Sequence, residues 1–194
     1  MDQSVMTGGF SDPSIQAAWG FRAGMNAMAR PGDILAVQGA QAPAPVSEAA
    51  AVLLLVLCDP DTPVWLAPSH DSDALRRWVA FHTGAPIVAA RGDAAFALGR
   101  WDSLAPLRDY RIGTSEYPDR SATLIVEMDD LRAEGAVLTG PGIKEVAGLN
   151  LPDVAAFRAN RALFPLGLDF FFTCGDRLAA LPRSTRVTDP VEVS

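Results

Sequence analysis

The chain has 194 residues, 49% of them hydrophobic and 20% charged, with 16 glycines and 15 prolines, which is the size and make-up of one globular domain. Its formal net charge of −7 argues against non-specific binding to nucleic acid or to an anionic membrane, both of which need a cationic face. The charged fraction lies below the roughly 25% of an average soluble protein and mean hydropathy is slightly positive, so more apolar surface is expected than one small core hides, as in an oligomer or a complex subunit.

In chain order, Ser11-Asp12-Pro13 opens a first helix, because an acidic or hydroxyl N-cap is followed by a proline whose missing N–H is harmless in a first turn. Ile15, Ala18, Phe21, Met25 and Met28 recur at spacings of three and four, Trp19 widens that stripe, and Pro31-Gly32 ends it, so this face is expected to be buried. Asp33 to Val37 reads as a short strand. Ser47-Glu48 then opens a second helix whose body, AAAVLLLVLC, has no wet face and belongs in the interior. After the stiff turn Asp59-Pro60-Asp61-Thr62-Pro63, Val64 to Ala67 forms a strand. A third helix starts near Asp71-Ser72, places Leu75, Trp78, Val79 and His82 on one face, and stops at Thr83-Gly84 before Pro86. Strands are expected at Ile87 to Ala89 and Ala94 to Leu98, a short helix at Ser103 to Leu107, and an exposed loop at RIGTSEYPDR. Ala122 to Glu127 and Ala136 to Thr139 return to strand character, Asp153 to Phe164 to helix, and Leu168 to Leu181 forms a hairpin turning at Cys174-Gly175-Asp176-Arg177.

The mixture predicts an α/β fold, a single domain over 1–194 with a mixed β-sheet flanked by helices on both faces. Residues 11–187 form its expected core, and 1–10 and 188–194 its flexible tails. Cys58 and Cys174 stand far apart with no Cys-x-x-Cys, so a reduced, cytoplasmic chain is expected. The first ten residues carry an acid and no base, so no secretory leader is expected, and the longest apolar stretch, Ala49 to Cys58, is well short of the roughly 20 residues that span a bilayer.

Several chemistries lack their residues. There is no His-Glu-x-x-His, no Gly-x-Ser-x-Gly and no cluster of four metal-type ligands, so no metal is expected. Gly135 to Lys144 has the glycine spacing of a phosphate-cradling loop, but Pro141 stands where that motif needs lysine and removes a backbone donor. Lys144 is the only lysine, so pyridoxal-phosphate chemistry would have to run through one residue in a glycine-rich turn, where a solvated lysine is the plainer reading. The fifteen arginines suit a protein that grips phosphate or phosphonate oxygens, and equally a GC-rich coding sequence. His82, near the C-terminus of its helix, reads as a core or capping histidine before an acid or base. Cys58, at the end of a greasy helix, reads as inert, and Cys174 in its tight turn as the better nucleophile.

FPLGLDFFFTCGDRLAALPRSTRV, spanning Phe164 to Val187, closely resembles the C-terminal signature of the PhnH family, subunits of the bacterial carbon-phosphorus lyase system. DTPVWL from Asp61, FHTGAP from Phe81, ATLIVE from Ala122, LTGPGI around Thr139, and the early Phe21, Arg22, Met28, Pro31 and Gly32 resemble the same family in the same order. The stretch Gly99 to Arg120 resembles it least. The resemblance implies a homodimer that also joins the other carbon-phosphorus lyase subunits, in a complex that displaces adenine from ATP with an alkylphosphonate to give a ribose 1-phosphonate 5-triphosphate. It implies a core resembling that of pyridoxal-phosphate-dependent transferases without the cofactor, and it assigns no catalytic residue.

The expectation is therefore a subunit that supports phosphonate activation through protein contacts and uses no cofactor. If it holds an anion, Arg22, His82, Arg183 and Thr185, all in the resembling motifs, are the substrate-binding residues, arginine as the clamp and hydroxyls as auxiliary donors. The rival expectations are an autonomous cofactor-free transferase at Lys144 or Cys174 and a stand-alone small-molecule-binding homodimer.

Overall fold

Side-chain caps start the long helices where the sequence supplies them. The computed structural model describes residues 8–190 and runs through α1 (Pro13–Ala29), β1 (Leu35–Ala36), α2 (Glu48–Leu57), β2 (Val64–Leu66), α3 (Asp73–Thr83), β3 (Phe96–Arg100), α4 (Trp101–Leu104), β4 (Thr123–Glu127), β5 (Ala136–Thr139), β6 (Ala147–Leu149), α5 (Val154–Ala162), β7 (Asp169–Cys174), β8 (Arg177–Leu181) and β9 (Arg186–Thr188). Asp12 accepts from the Ile15 N–H, Ser47 from Ala50, Ser72 from Leu75 and Asp153 from Ala156, each satisfying a donor that a helix start leaves open. Gly84 ends α3 in the left-handed conformation at φ 72°, which a residue with a Cβ adopts only at a cost.

The main sheet has six strands in the order β1-β8-β7-β4-β3-β2. β2, β3, β4 and β7 are parallel neighbours, while β8 returns antiparallel on β7 and carries β1 at the edge, which makes the sheet mixed as expected. Strand alternation divides the interior into two cores. Ile125 and Phe171 point into one, with Leu53 and Leu54 of α2 and Leu75 and Trp78 of α3. Leu124, Val126, Phe170 and Phe172 point into the other, with Leu104 of α4 and Phe157 of α5. Helices thus cover both faces.

The outer regions differ from the expectation. A second sheet of three strands, β6-β5-β9, stands beside the second core, and neither β6 nor β9 has enough apolar length to be foreseen. The expected strand at Ile87 to Ala89 is reduced to one bridge between Ile87 and Val64, following Pro86, which has no N–H to give a ladder. Tails were expected at 1–10 and 188–194. Residues 1–7 and 191–194 lie outside the described residues, whereas Gly8 accepts the Gln41 N–H at 2.6 Å and Phe10 packs on the first core. Among the described residues no helix is long and apolar enough to cross a membrane.

The largest difference is the orientation of α1. Its expected buried stripe is mostly outside: Ile15, Phe21 and Met25 are about half exposed and Trp19 is 70% exposed. The buried face is Gly20, Gly24 and Ala27. A Cβ on Gly20 would stand 2.6 Å from Val52 Cγ1 of α2, so the two helices meet at a distance that only a missing side chain permits. Close approach selected the small residues, and the large ones were turned out.

Candidate functional site

In open sheets with parallel strands, ligands bind beyond the carboxyl ends of those strands, where the loops converge. Here that rim is polar. Register places Arg100 at the end of β3 beside Glu127 at the end of β4, and Glu127 beside Thr173 of β7. The loop leaving β2 adds Ser69 and His70, and the start of α2 adds Ser47.

Glu127 is buried, yet both carboxylate oxygens are bonded: Oε1 accepts the Ser47 N–H at 2.7 Å and Oε2 the Thr173 hydroxyl at 3.0 Å. Burial pushes its pKa above the usual carboxylate range, against the pull of these hydrogen bonds and of Arg100. His70 is also buried. Its Nε2 stands 4.0 Å from Glu127 Oε1, its Nδ1 is 3.0 Å from Ser69 Oγ, and that hydroxyl accepts the Arg100 N–H at 3.1 Å. Burial lowers the His70 pKa, and the Arg100 guanidinium lowers it further. At neutral pH the pair is a neutral imidazole facing a desolvated carboxyl group.

A cleft of about 310 Å³ opens at this rim, lined by Arg100, Trp101, Asp102, Glu127, Asp129 and Asn150 among others. Arg100 donates to Asp129 at 2.6 Å beside it. Cys174, at the end of β7, donates its thiol hydrogen to the Asp129 carbonyl. Cys58 is pushed up to about 12 by burial, with Asp59 adding to the shift, so its thiol stays protonated and inert as the sequence suggested. Lys144 is exposed in its turn.

The structure places the sequence-predicted site residues on separate elements. Arg22 is exposed on α1 and makes no ion pair among the described residues. His82 packs on Trp78, with ring centroids 4.8 Å apart, and lines a shallow cleft with Gly9 and Phe10. Arg183 is engaged internally, donating to the Asp169 carboxylate, to the Ser121 hydroxyl and, at 2.6 Å, to the Pro118 carbonyl. Thr185 is buried after β8, its N–H on the Pro182 carbonyl. None of these four lines the rim cleft. The rim was not foreseen from the sequence, although two of its residues had a signal: His70 lies between a strand and a helix N-cap, and Glu127 is the one charged residue of β4.

A larger cleft, about 710 Å³, opens between α4 and α5 on Trp101, Leu107, Tyr110, Ile112 and Leu163. Two of its polar groups are used internally: the Tyr110 hydroxyl donates to the Leu104 carbonyl, and the Asn160 side chain bonds both backbone groups of Leu168. It offers an apolar wall and little to orient a polar metabolite.

Comparison with known proteins gives a consistent result. The family described as bacterial phosphonate metabolism protein (PhnH) matches residues 8–188. A protein of Rhizobium meliloti (strain 1021), alpha-D-ribose 1-methylphosphonate 5-triphosphate synthase subunit PhnH, is 41% identical over 191 residues, covering 94% of this chain and 96% of its own length.

Proposed function

Since the chain belongs to the PhnH family of bacterial phosphonate metabolism proteins, we propose that it works as a subunit of the synthase that transfers the ribose triphosphate moiety of ATP to an alkylphosphonate with release of adenine. One observation carries the subunit role. α1 has apolar residues on both sides: Gly20, Gly24 and Ala27 close the monomer, and Ile15, Trp19, Phe21 and Met25 face outward. Four large apolar side chains on one exposed helix form a patch of the kind that other polypeptides cover. The apolar cleft between α4 and α5 adds a second surface of that character.

The same reading takes the isolated chain to be a homodimer, its location to be cytoplasmic, and its core to be like that of pyridoxal-phosphate-dependent transferases without the cofactor. Of Arg22, His82, Arg183 and Thr185 as anion-binding residues, Arg22 is the best supported, because its guanidinium is exposed within the outward face of α1 and makes no ion pair among the described residues. Arg183 would have to leave Asp169 to bind an anion.

The test is co-expression with the other lyase subunits. Trp19→Glu and Met25→Glu are expected to leave the monomer folded and to abolish its co-purification and phosphonate-dependent adenine release. Adenine release by the chain alone, or full assembly of both variants, overturns the reading.

A further inference from the structure

The apolar cleft between α4 and α5 has an apolar ridge beside it. α5 buries Phe157 and Asn160 and turns Ala155, Ala159 and Ala162 to solvent. Leu163, at the edge of the cleft, and Phe164 follow the helix, 45% and 49% exposed, and the Arg161 guanidinium lies 4.7 Å over the Phe164 ring. Groove and ridge therefore stand side by side, Trp101, Leu107, Tyr110 and Ile112 walling the one and Phe164 crowning the other. A groove set only against another groove stays unfilled, but a groove with its own ridge alongside is complementary to a second copy of itself.

The charges of α5 have the matching arrangement. Asp153 lines the groove at the start of the helix and Arg161 stands in its last turn. Their hydrogen bonds go to backbone, Asp153 accepting the Ala156 N–H and Arg161 donating to the Ser184 carbonyl, and neither makes an ion pair among the described residues. Arg108, the other charge of the groove, is offset by Asp109 at 4.0 Å. An antiparallel copy of α5 laid against the first sets each Asp153 beside the partner's Arg161, opposes the two helix dipoles and carries each Phe164 to the Trp101 end of the other groove. The alanines of the outer side let the two helices come close. This contact leaves the outward face of α1 open, because the two lie on opposite sides of the sheet: a Cβ on Gly24 of α1 would stand 3.8 Å from Phe171, whereas Phe157 of α5 packs edge-on against Phe170, with centroids 4.9 Å apart.

We propose that two copies of this chain pair about a two-fold axis beside α5, each seating Phe164 in the other's groove and setting Arg161 against the partner's Asp153. That the chain pairs at all rests on the homodimer of the subunit reading; the choice of this surface rests on the groove, its ridge and the charges at the two ends of α5.

The full chain, purified without other subunits, is followed by analytical ultracentrifugation over a range of concentrations. The unaltered chain is expected to dimerise. Ala159→Glu, at an exposed position, is expected to weaken the dimer about a hundredfold or more, and Arg161→Glu, which brings a carboxylate against the partner's Asp153, about tenfold or more. Adding Asp153→Asn to Arg161→Glu keeps a good helix cap, removes the repulsion and is expected to recover about threefold or more. Trp19→Glu is expected to leave the dimer as it is. Hydroxyl-radical labelling of the unaltered chain needs no variant to fold: Phe164 and Leu163 are expected to lose reactivity as the chain dimerises, while Trp19 and Met25 keep theirs. A chain that is monomeric at every concentration, a dimer unmoved by Ala159→Glu or by Arg161→Glu, no recovery with Asp153→Asn, a dimer broken by Trp19→Glu, or a Phe164 equally reactive in monomer and dimer overturns the proposal. Co-purification with the lyase subunits is read separately: a monomer that still assembles with them loses this pairing and keeps the subunit role, and a dimer that fails to assemble does the reverse.

Discussion

α1 and α2 lie against each other and are both rich in apolar residues, yet they are used in opposite ways. The first six residues of α2 after its opening glutamate, Ala49 to Leu54, are all buried. α1 buries two glycines and an alanine and exposes a tryptophan, a phenylalanine, an isoleucine and a methionine. The difference teaches that apolarity marks a residue for burial somewhere, while the fit between backbones decides whether that burial happens inside the monomer.

The sharpest way to break the comparison is to remove bulk where it is buried. Leu53→Ala in α2 is expected to cost about 3 kcal/mol in urea unfolding, because a fully enclosed side chain leaves a cavity. Adding bulk where it is absent comes next. Gly20→Leu should cost about 2 kcal/mol even though leucine is the better helix former, because its Cβ already meets Val52. If Gly20→Leu is stabilising, close packing is not what orients α1.

The rim gives a smaller and pH-dependent effect. The folded pKa of His70 lies below its ordinary 6.5, so the native state takes up this proton less readily than the unfolded chain, and stability is lost as pH falls below that value. Glu127 has the opposite sign: its raised pKa means that the native state takes up a proton more readily, and stability is lost as pH rises from about 4.5 toward the folded value. His70→Gln should therefore lose less stability than the unaltered chain between neutral pH and about pH 5, and Glu127→Gln should lose more; denaturant melts across that range decide it. The smallest effect is on the outer face of α1. Met25→Glu should change monomer stability by no more than about 0.5 kcal/mol while abolishing capture by partner subunits, and a large loss of stability would show that this face is already covered within the monomer.

Much of the fold was legible in the sequence because its signals are local. Asp12, Ser47, Ser72 and Asp153 cap the helices they were expected to open, and Cys58 is as buried and inert as its place on a greasy helix implied. The hairpin from β7 to β8 formed at its expected turn. The candidate site was much less legible. Thr173 and Glu127 are bonded across 46 positions of sequence, and Ser47 reaches Glu127 across 80, so no window of the sequence contains the constellation. Arginines that look like free clamps in a motif can equally be spent on the chain itself, as Arg183 is on Asp169 and the segment before β4.

The sequence by itself determined the helices with their caps, the α/β class and the membership of the PhnH family, because capping, periodicity and motif order are properties of neighbouring residues. Only the tertiary structure decided which side of α1 faces outward and which polar groups meet at the ends of the parallel strands. Both depend on distances between backbones that are remote in sequence, and those distances are set only when the sheet and helices pack together.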